Sequence, residues 1–269
     1  MRSPSNRCRL LVGFCSWKKP DYLKKCYEAV LEGLDPDKDK VCVVLNDGDE
    51  ESCDFLVDNK VNFVRVSDNE GPLAIDYLKP FVEKSEYFLN TNDDMYLSNN
   101  YADDLIRVID KYYPTTASVR MVERTAPDLN YVAETTINSI LEILKEDFVV
   151  KCEGYRDTGP VLRVGYNHPI CVKSLDFIKV GGYSGLWRPG FESGYARDDA
   201  FPMMLKNIVS SDYNFIVSDN SFCYHDISVS MNRLPPHIKS KSNQDSLVRD
   251  FGMNSSGIKR LIKYGSIVT

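Results

Sequence analysis

Apolar and polar residues fall into two alternating rhythms along the first hundred positions. Short apolar runs end in polar turns, and between them apolar residues recur at helical spacing. Residues 9–15 (Arg-Leu-Leu-Val-Gly-Phe-Cys) predict a first strand, broken by Ser16-Trp17-Lys18-Lys19-Pro20. Residues 21–34 place Tyr22, Leu23, Cys26, Tyr27, Val30 and Leu31 on one side of a helix, with Asp21 as its cap. A charged turn over 35–40 leads to a buried strand at 41–45, which ends in Asn46-Asp47-Gly48-Asp49. A short helix over 50–59 and a third strand over 61–66 follow. Asn69-Glu70-Gly71-Pro72 then turns into a helix over 73–84. Residues 86–97 read as a fourth strand that runs into Asp93-Asp94 and turns apolar again.

Strands of about five residues alternating with helices predict parallel pairing and right-handed crossovers. This gives a Rossmann-like half over residues 9–113. Beyond it, a helix is expected from 100 to 112 and an amphipathic helix from 132 to 148. Glycine-rich residues 151–165 predict a loop or edge hairpin. A strand at 169–172, a short helix at 175–180 and a tight turn at Gly181-Gly182-Tyr183 come next. A helix is expected through Met203, Met204, Leu205 and Ile208, then two short strands at 214–217 and 221–224, the second ending at His225. The expectation is an α/β chain with a mixed, mostly parallel central sheet flanked by helices. A smaller second sheet or insert is expected beside it.

Composition narrows the function classes. The 269 residues are 43% hydrophobic and 27% charged, ordinary globular values. A net charge of −6 argues against a general nucleic-acid coat. Met1 to Arg9 is polar, and the apolar run after it is too short for a signal core or a membrane span. The expected location is the cytoplasm, or the host's cytoplasm for a viral chain. The eight cysteines include no C-x-x-C pair and are read as reduced thiols, several of them in the core.

Asp93 and Asp94 stand at the carboxyl end of a strand, where open α/β sheets bind ligands. Two adjacent carboxylates are costly there unless a cation or donor groups compensate them. Oxygen ligands suit Mg²⁺ or Mn²⁺, and phosphate oxygens can complete the shell. Neither a G-x-G-x-x-G loop nor a G-x-x-x-x-G-K-[ST] loop is present, so a nucleotide held here would not depend on a glycine cradle.

Taken together, these motifs resemble a GT-A-fold glycosyltransferase of the family 2 type. Ser16-Trp17-Lys18-Lys19-Pro20 is similar to that family's T-Y-N-R-P turn, and Asn46-Asp47-Gly48-Asp49 to its D-D-G-S turn. Asn69-x-Gly71 resembles its N-x-G, and Asn92-Asp93-Asp94 its D-x-D signature. Gly181-Gly182-Tyr183 resembles G-G-F, and Arg197-Asp198-Asp199 the acidic E-D motif. His225 stands where such enzymes carry a late metal-binding histidine. Asn243-x-Asp245 with Phe251-Gly252 resembles a late N-x-D…F-G segment. The match covers residues 9–255 in the family's order. It implies one GT-A domain: a nucleotide-sugar half over 9–113, an acceptor half with an inserted helix over 114–235, and a tail over 236–269.

The resemblance implies roles residue by residue. Asp94 and His225 would bind Mn²⁺ or Mg²⁺ bridging the diphosphate of a nucleotide-sugar. Asp93 would hold ribose or sugar hydroxyls, or touch the metal through water. Ser16 and Asn69 would line the nucleotide-sugar site. Trp17 would stack on the base and Asp47 would accept from a base N–H, which makes a UDP-sugar the default donor. Asp199 would act as general base on the acceptor hydroxyl in an inverting transfer, with Asp198 binding acceptor hydroxyls or exchanging roles with it. Lys239 and Lys241 would close over the diphosphate. The acceptor is a glycan or another hydroxyl, with a modified base in DNA as a further option. Two other functions compete: a nucleotidyltransferase, disfavoured by the lack of glycine between Ser16 and Pro20, and a non-catalytic sugar- or nucleotide-binding protein.

Overall fold

The computed structural model describes residues 7–123, 162–164, 168–186 and 200–225, together with 248, 251, 252 and 258. Strand β1 (Cys8–Ser16) leads through helix α1 (Pro20–Glu32) to β2 (Lys40–Asn46). Helix α2 (Glu50–Asp58) leads to β3 (Asn62–Val66). A 3₁₀ helix (Gly71–Leu78) and the single-turn α3 (Lys79–Val82) precede β4 (Ser85–Asn92). Then come β5 (Met95–Leu97), α4 (Tyr101–Tyr112), β6 (Thr115–Glu123), β7 (Leu162–Val164) and β8 (Ile170–Lys173). The helix Ser174–Lys179 and a π-turn (Leu205–Val209) come before β9 (Asn214–His225). No helix among the described residues is long and apolar enough to cross a membrane.

These strands form one sheet in the order β3-β2-β1-β4-β8-β6-β9-β5. The first four are parallel. β8 runs antiparallel to β4 and to β6, while β6 and β9 are parallel. β9 therefore points the same way as β1 to β4, and its carboxyl end lies on their edge. β5 and β7 pair antiparallel with β9 at residues 223–225 and 216–218.

Strands β1, β2 and β4 are buried along most of their length, which explains their near-continuous apolar runs, while β3 is a half-exposed edge strand. Leu10, Val12 and Phe14 pack with Leu23, Cys26 and Val30 of α1 and with Leu105, Val108 and Ile109 of α4. Leu11, Cys42 and Phe88 face the other layer, made of Ala74, Ile75, Leu78, Phe177, Phe201 and Leu205. Burying each of the Val, Leu, Ile and Phe side chains contributes about 1.5–3 kcal/mol. Gly13 is required by the second layer. A Cβ there would stand 2.6 Å from Leu78 Cδ1 and 2.8 Å from Phe88 Cε2.

Several local expectations change. Asp21 does not cap α1; the cap position is Lys19, without a side-chain hydrogen bond, and Pro20 and Asp21 lie in the first turn. Pro20 needs no donor there, and Asp21 favours the positive end of the helix dipole. The helix expected over 73–84 is a 3₁₀ segment followed by a single α turn. The run 86–97 is two strands, because the acidic pair takes the chain out of β4 and delivers Met95–Leu97 to β9. The two short strands at 214–224 are one, with an irregularity opposite Val119/Arg120. β6 carries no apolar run, since Thr115, Thr116 and Ser118 are fully buried polar residues. Of the loop or edge hairpin expected over 151–165, only residues 162–164 are described; they form β7, which pairs with the distant β9. The helix expected at 132–148 lies outside the described residues.

Candidate functional site

Parallel register brings the functional loops to one edge. Ser16 pairs with Leu45, Asn46 with Val66, and Cys15 with Asn92, so β1 to β4 end level. Because β9 points the same way, His225 arrives at that edge from the far side of the sheet.

A row of side-chain contacts joins these loops. His225 Nε2 lies 3.7 Å from Asp94 Oδ1. The antiparallel register sets this, since His225 pairs with Met95, the residue after Asp94. Asp93 accepts a 2.8 Å hydrogen bond at Oδ2 from the Ser16 hydroxyl. One loop further, Asp47 Oδ2 lies 2.7 Å from Lys18 Nζ and 3.4 Å from Trp17 Nε1. Asn46 donates to Asn69 Oδ1 at 2.6 Å and to the Gly71 carbonyl at 3.2 Å, and accepts from the Glu70 N–H at 2.8 Å. Asn69 Oδ1 also accepts from the Gly71 N–H, so Asn69 shapes its own turn.

The acidic pair is buried, Asp93 at 9% exposure and Asp94 at 4%. Burial, reinforced by Asp94, pushes the Asp93 carboxyl up to about 6, against the opposing pull of Ser16, Lys19 and the Trp17 N–H. A positive charge is what such a pair needs. The turn that carries it is held from beneath. The Cys26 thiol on α1 lies 3.3 Å from the Asn92 carbonyl and 3.5 Å from the Met95 carbonyl, one on each side of the two aspartates. A thiol is a weak donor, but this one is fully buried and sits against both ends of the turn.

Carboxylate oxygen and imidazole nitrogen suit Mn²⁺ and related ions. No group of three His, Cys, Asp or Glu side chains is gathered to hold a metal among the described residues. Asp94 and His225 could offer two ligands to a cation, and other ligands would have to complete its shell.

The loop beside this grip is backbone-strained. Lys18 and Asp47 both have left-handed φ angles, 50° and 54°. Asp tolerates this region; Lys does so only where its surroundings demand it. Lys18, then Trp17, hold the Asp47 carboxyl below its ordinary value against partial desolvation. Both partners are substantially exposed, 52% and 34% at the side chain, so their ion pair adds little stability.

At the turn after the helix Ser174–Lys179, Gly181 and Gly182 both have positive φ, and the turn is clamped by Asp76. Asp76 accepts from the N–H groups of Tyr183 and Ser184, and Asn90 Nδ2 lies 3.0 Å from the Tyr183 hydroxyl.

Ser16, Trp17, Asp47, Asn69, Asp93, Asp94 and His225 are thus brought to one edge. Asp198, Asp199, Lys239, Lys241 and the 243–245 segment lie outside the described residues. Sequence reasoning missed Asn46, Lys19 and Cys26. Asn46 stood inside a quoted motif without a role. Lys19 is buried, with its ammonium 5.3 Å from the Tyr22 ring centroid, and read only as part of a turn. Cys26 read as an ordinary core residue; only the fold reveals its carbonyl partners.

No family model matches the sequence, and no curated protein sequence matches it. Solved structures do share the fold. GalNAc-T7 with UDP, GalNAc and Mn²⁺ superposes at a TM-score of 0.62 with 10% identity, over 90% of this chain and 48% of that one. TarS 1–349 of S. aureus with UDP-GlcNAc gives 0.55 and 15%, over 86% of this chain and 61% of that one. The same protein with UDP gives 0.54 and 14%, over 82% and 61%. This chain spans between about half and three-fifths of the length of these structures. The fold is the GT-A glycosyltransferase fold.

Proposed function

We propose that this chain is a metal-dependent glycosyltransferase that moves a sugar from a nucleotide-sugar, a UDP-sugar by preference, to a hydroxyl acceptor. The observation that carries the reading is the approach of Asp94 and His225 to 3.7 Å at the carboxyl edge of the sheet, beside the buried Asp93. The complexes of the fold's neighbours with UDP and UDP-GlcNAc, and one with Mn²⁺, support it.

Asp94 and His225 hold the cation, Mn²⁺ or Mg²⁺. Bound there, such a cation would supply positive charge to a leaving diphosphate. Asp93, fixed by Ser16, orients ribose or sugar hydroxyls. Lys19 adds a positive charge near the acidic pair. Trp17 offers a stacking face and Asp47 an acceptor for a base N–H. Asp199 takes the proton of the acceptor hydroxyl as its oxygen attacks the anomeric carbon, which makes the transfer inverting. Asp198 binds the acceptor. A glycan is the favoured acceptor, because the net charge of −6 weighs against DNA.

The test is metal-dependent hydrolysis of a panel of nucleotide-sugars, followed by two variants. Asp94→Ala is expected to abolish turnover. Asp199→Asn is expected to retain donor binding and lose transfer. Full metal-dependent turnover by Asp94→Ala would overturn the reading.

A further inference from the structure

Strand β9 does not run evenly beside β6. Val119 pairs with Ser218, but the next residue, Arg120, pairs with Phe222. Asp219, Asn220 and Ser221 are looped out of that pairing, and the ladder then continues to Glu123 opposite His225. With even pairing Glu123 would face Phe222, and His225 would lie three residues, about 10 Å, further along the strand. Its side chain would also change faces, because an odd shift exchanges the two sides of a strand.

One buried carboxylate holds the loop-out. Asp104 is 6% exposed and lies on α4 with the buried residues Tyr101, Leu105 and Val108. Its Oδ2 accepts from the Ser221 hydroxyl at 2.7 Å, and its Oδ1 from the Asn220 amide at 3.3 Å. The Arg107 guanidinium, three residues on, supplies a further donor. Asn100, at the head of the same helix, donates to the Asn220 carbonyl at 2.7 Å. Just past the loop-out, the Ser98 hydroxyl accepts from the Phe222 N–H at 3.1 Å. A carboxylate on a buried helix face is costly unless hydrogen-bonded partners compensate it. Here those partners are side chains of the loop-out, together with Arg107.

We propose that Asp104 is a positioning residue for the metal site: it fixes the three-residue loop-out of β9, and that register delivers His225 to Asp94. This rests on the glycosyltransferase reading above, in which Asp94 and His225 hold the cation. Bulges re-aim side chains beside functional sites in this way. Asp104 acts only through His225.

The test is Mn²⁺ titration of the full chain in the presence of UDP, followed by water-proton relaxation, which rises when the ion is held on the slowly tumbling protein. Asp104→Ala is expected to weaken Mn²⁺ binding about tenfold, the scale on which indirect metal partners act. Ser221→Ala removes one donor and is expected to shift binding in the same direction by a smaller factor; it decides the matter if Asp104→Ala does not fold. Asp104→Asn keeps an acceptor for Ser221 and is expected to retain most of the affinity. In a His225→Ala background, Asp104→Ala or Ser221→Ala should cost no further affinity, because the effect passes through His225. Asp39→Asn disturbs another buried carboxylate, bonded to Arg9 at the opposite edge of the sheet, and is expected to leave Mn²⁺ binding alone. Unchanged Mn²⁺ affinity in Ser221→Ala overturns the proposal. So does a loss that persists undiminished in the His225→Ala background, and so does an equal loss in Asp39→Asn. A wild type that holds no Mn²⁺, or a His225→Ala variant that holds it as tightly as the wild type, would bring down the metal site of the glycosyltransferase reading itself.

Discussion

His225 Nε2 stands 3.7 Å from Asp94 Oδ1 because β5 pairs with the last residues of β9. The two residues are far apart in the sequence. Their meeting depends on the chain leaving β4 at the acidic turn instead of continuing along it. Replacing His225 by Ala is expected to raise the Mn²⁺ concentration for half-maximal donor binding by at least about tenfold, the lower end of what even indirect metal partners contribute. Titrating Mn²⁺ against bound UDP measures it. An unchanged midpoint would remove His225 from the metal.

The Cys26 thiol braces the turn that carries both aspartates. Cys26→Ala is expected to weaken apparent Mn²⁺ affinity as well as lower stability by about 1–2 kcal/mol. Cys42, equally buried in β2, serves as the control. Cys42→Ala should lower stability and leave Mn²⁺ affinity alone. Cys26→Ser retains a donor and should recover part of the affinity. Urea unfolding and Mn²⁺ titration together separate the two effects.

Asp176 is buried, with hydroxyl donors from Tyr213 at 2.9 Å and Tyr113 at 3.1 Å. Burial raises its carboxyl above 3.8, and the two hydroxyls only partly oppose this. A carboxyl raised in the folded state contributes most when protonated, and that contribution is lost as pH rises through the folded value. Stability attributable to Asp176 should therefore fall as pH climbs from the ordinary carboxylate value. Asp176→Asn should flatten that part of the profile. Parallel wild-type and variant curves from pH 4 to 7 would refute the assignment.

Gly182 has φ +66°, and a Cβ there would meet Asp76 Oδ1 and, at 2.6 Å, Lys79 Cε. Gly182→Ala is expected to cost more than about 1 kcal/mol, from the strained φ and the displaced clamp together. Gly71 has φ +58° with open space around its Cβ position, so Gly71→Ala carries the backbone cost alone and should be milder. Urea midpoints of the two variants give the comparison.

Strands β1, β2 and β4 were legible because each is buried on both faces and is largely apolar. Leu10, Val12 and Phe14 serve one layer while Leu11 serves the other. β6 was not legible. It lies between β8 and β9, yet Thr115, Thr116 and Ser118 fill it, and buried hydroxyls imitate a loop in any hydrophobic reading. Ser16, Trp17, Asp47, Asn69, Asp93 and Asp94 could be placed at one edge from the sequence because each stands at or just after a strand end and parallel strands end together; their proposed roles came from the resemblance. The Asn46 bridge to Asn69 and the Cys26 brace were not found, because a hydrogen-bond partner many residues away leaves no local pattern.

What the amino-acid order determined by itself is the alternation of apolar runs and helical stripes, and with it an edge where polar turns collect. Local spacing is enough for that, since a strand or a helix is a property of neighbours in the chain. What only the tertiary structure decided is which distant residues meet there. The direction of β9, the pairing of Met95 with His225 and the closing of Lys18 onto Asp47 depend on register between strands, which no single segment encodes.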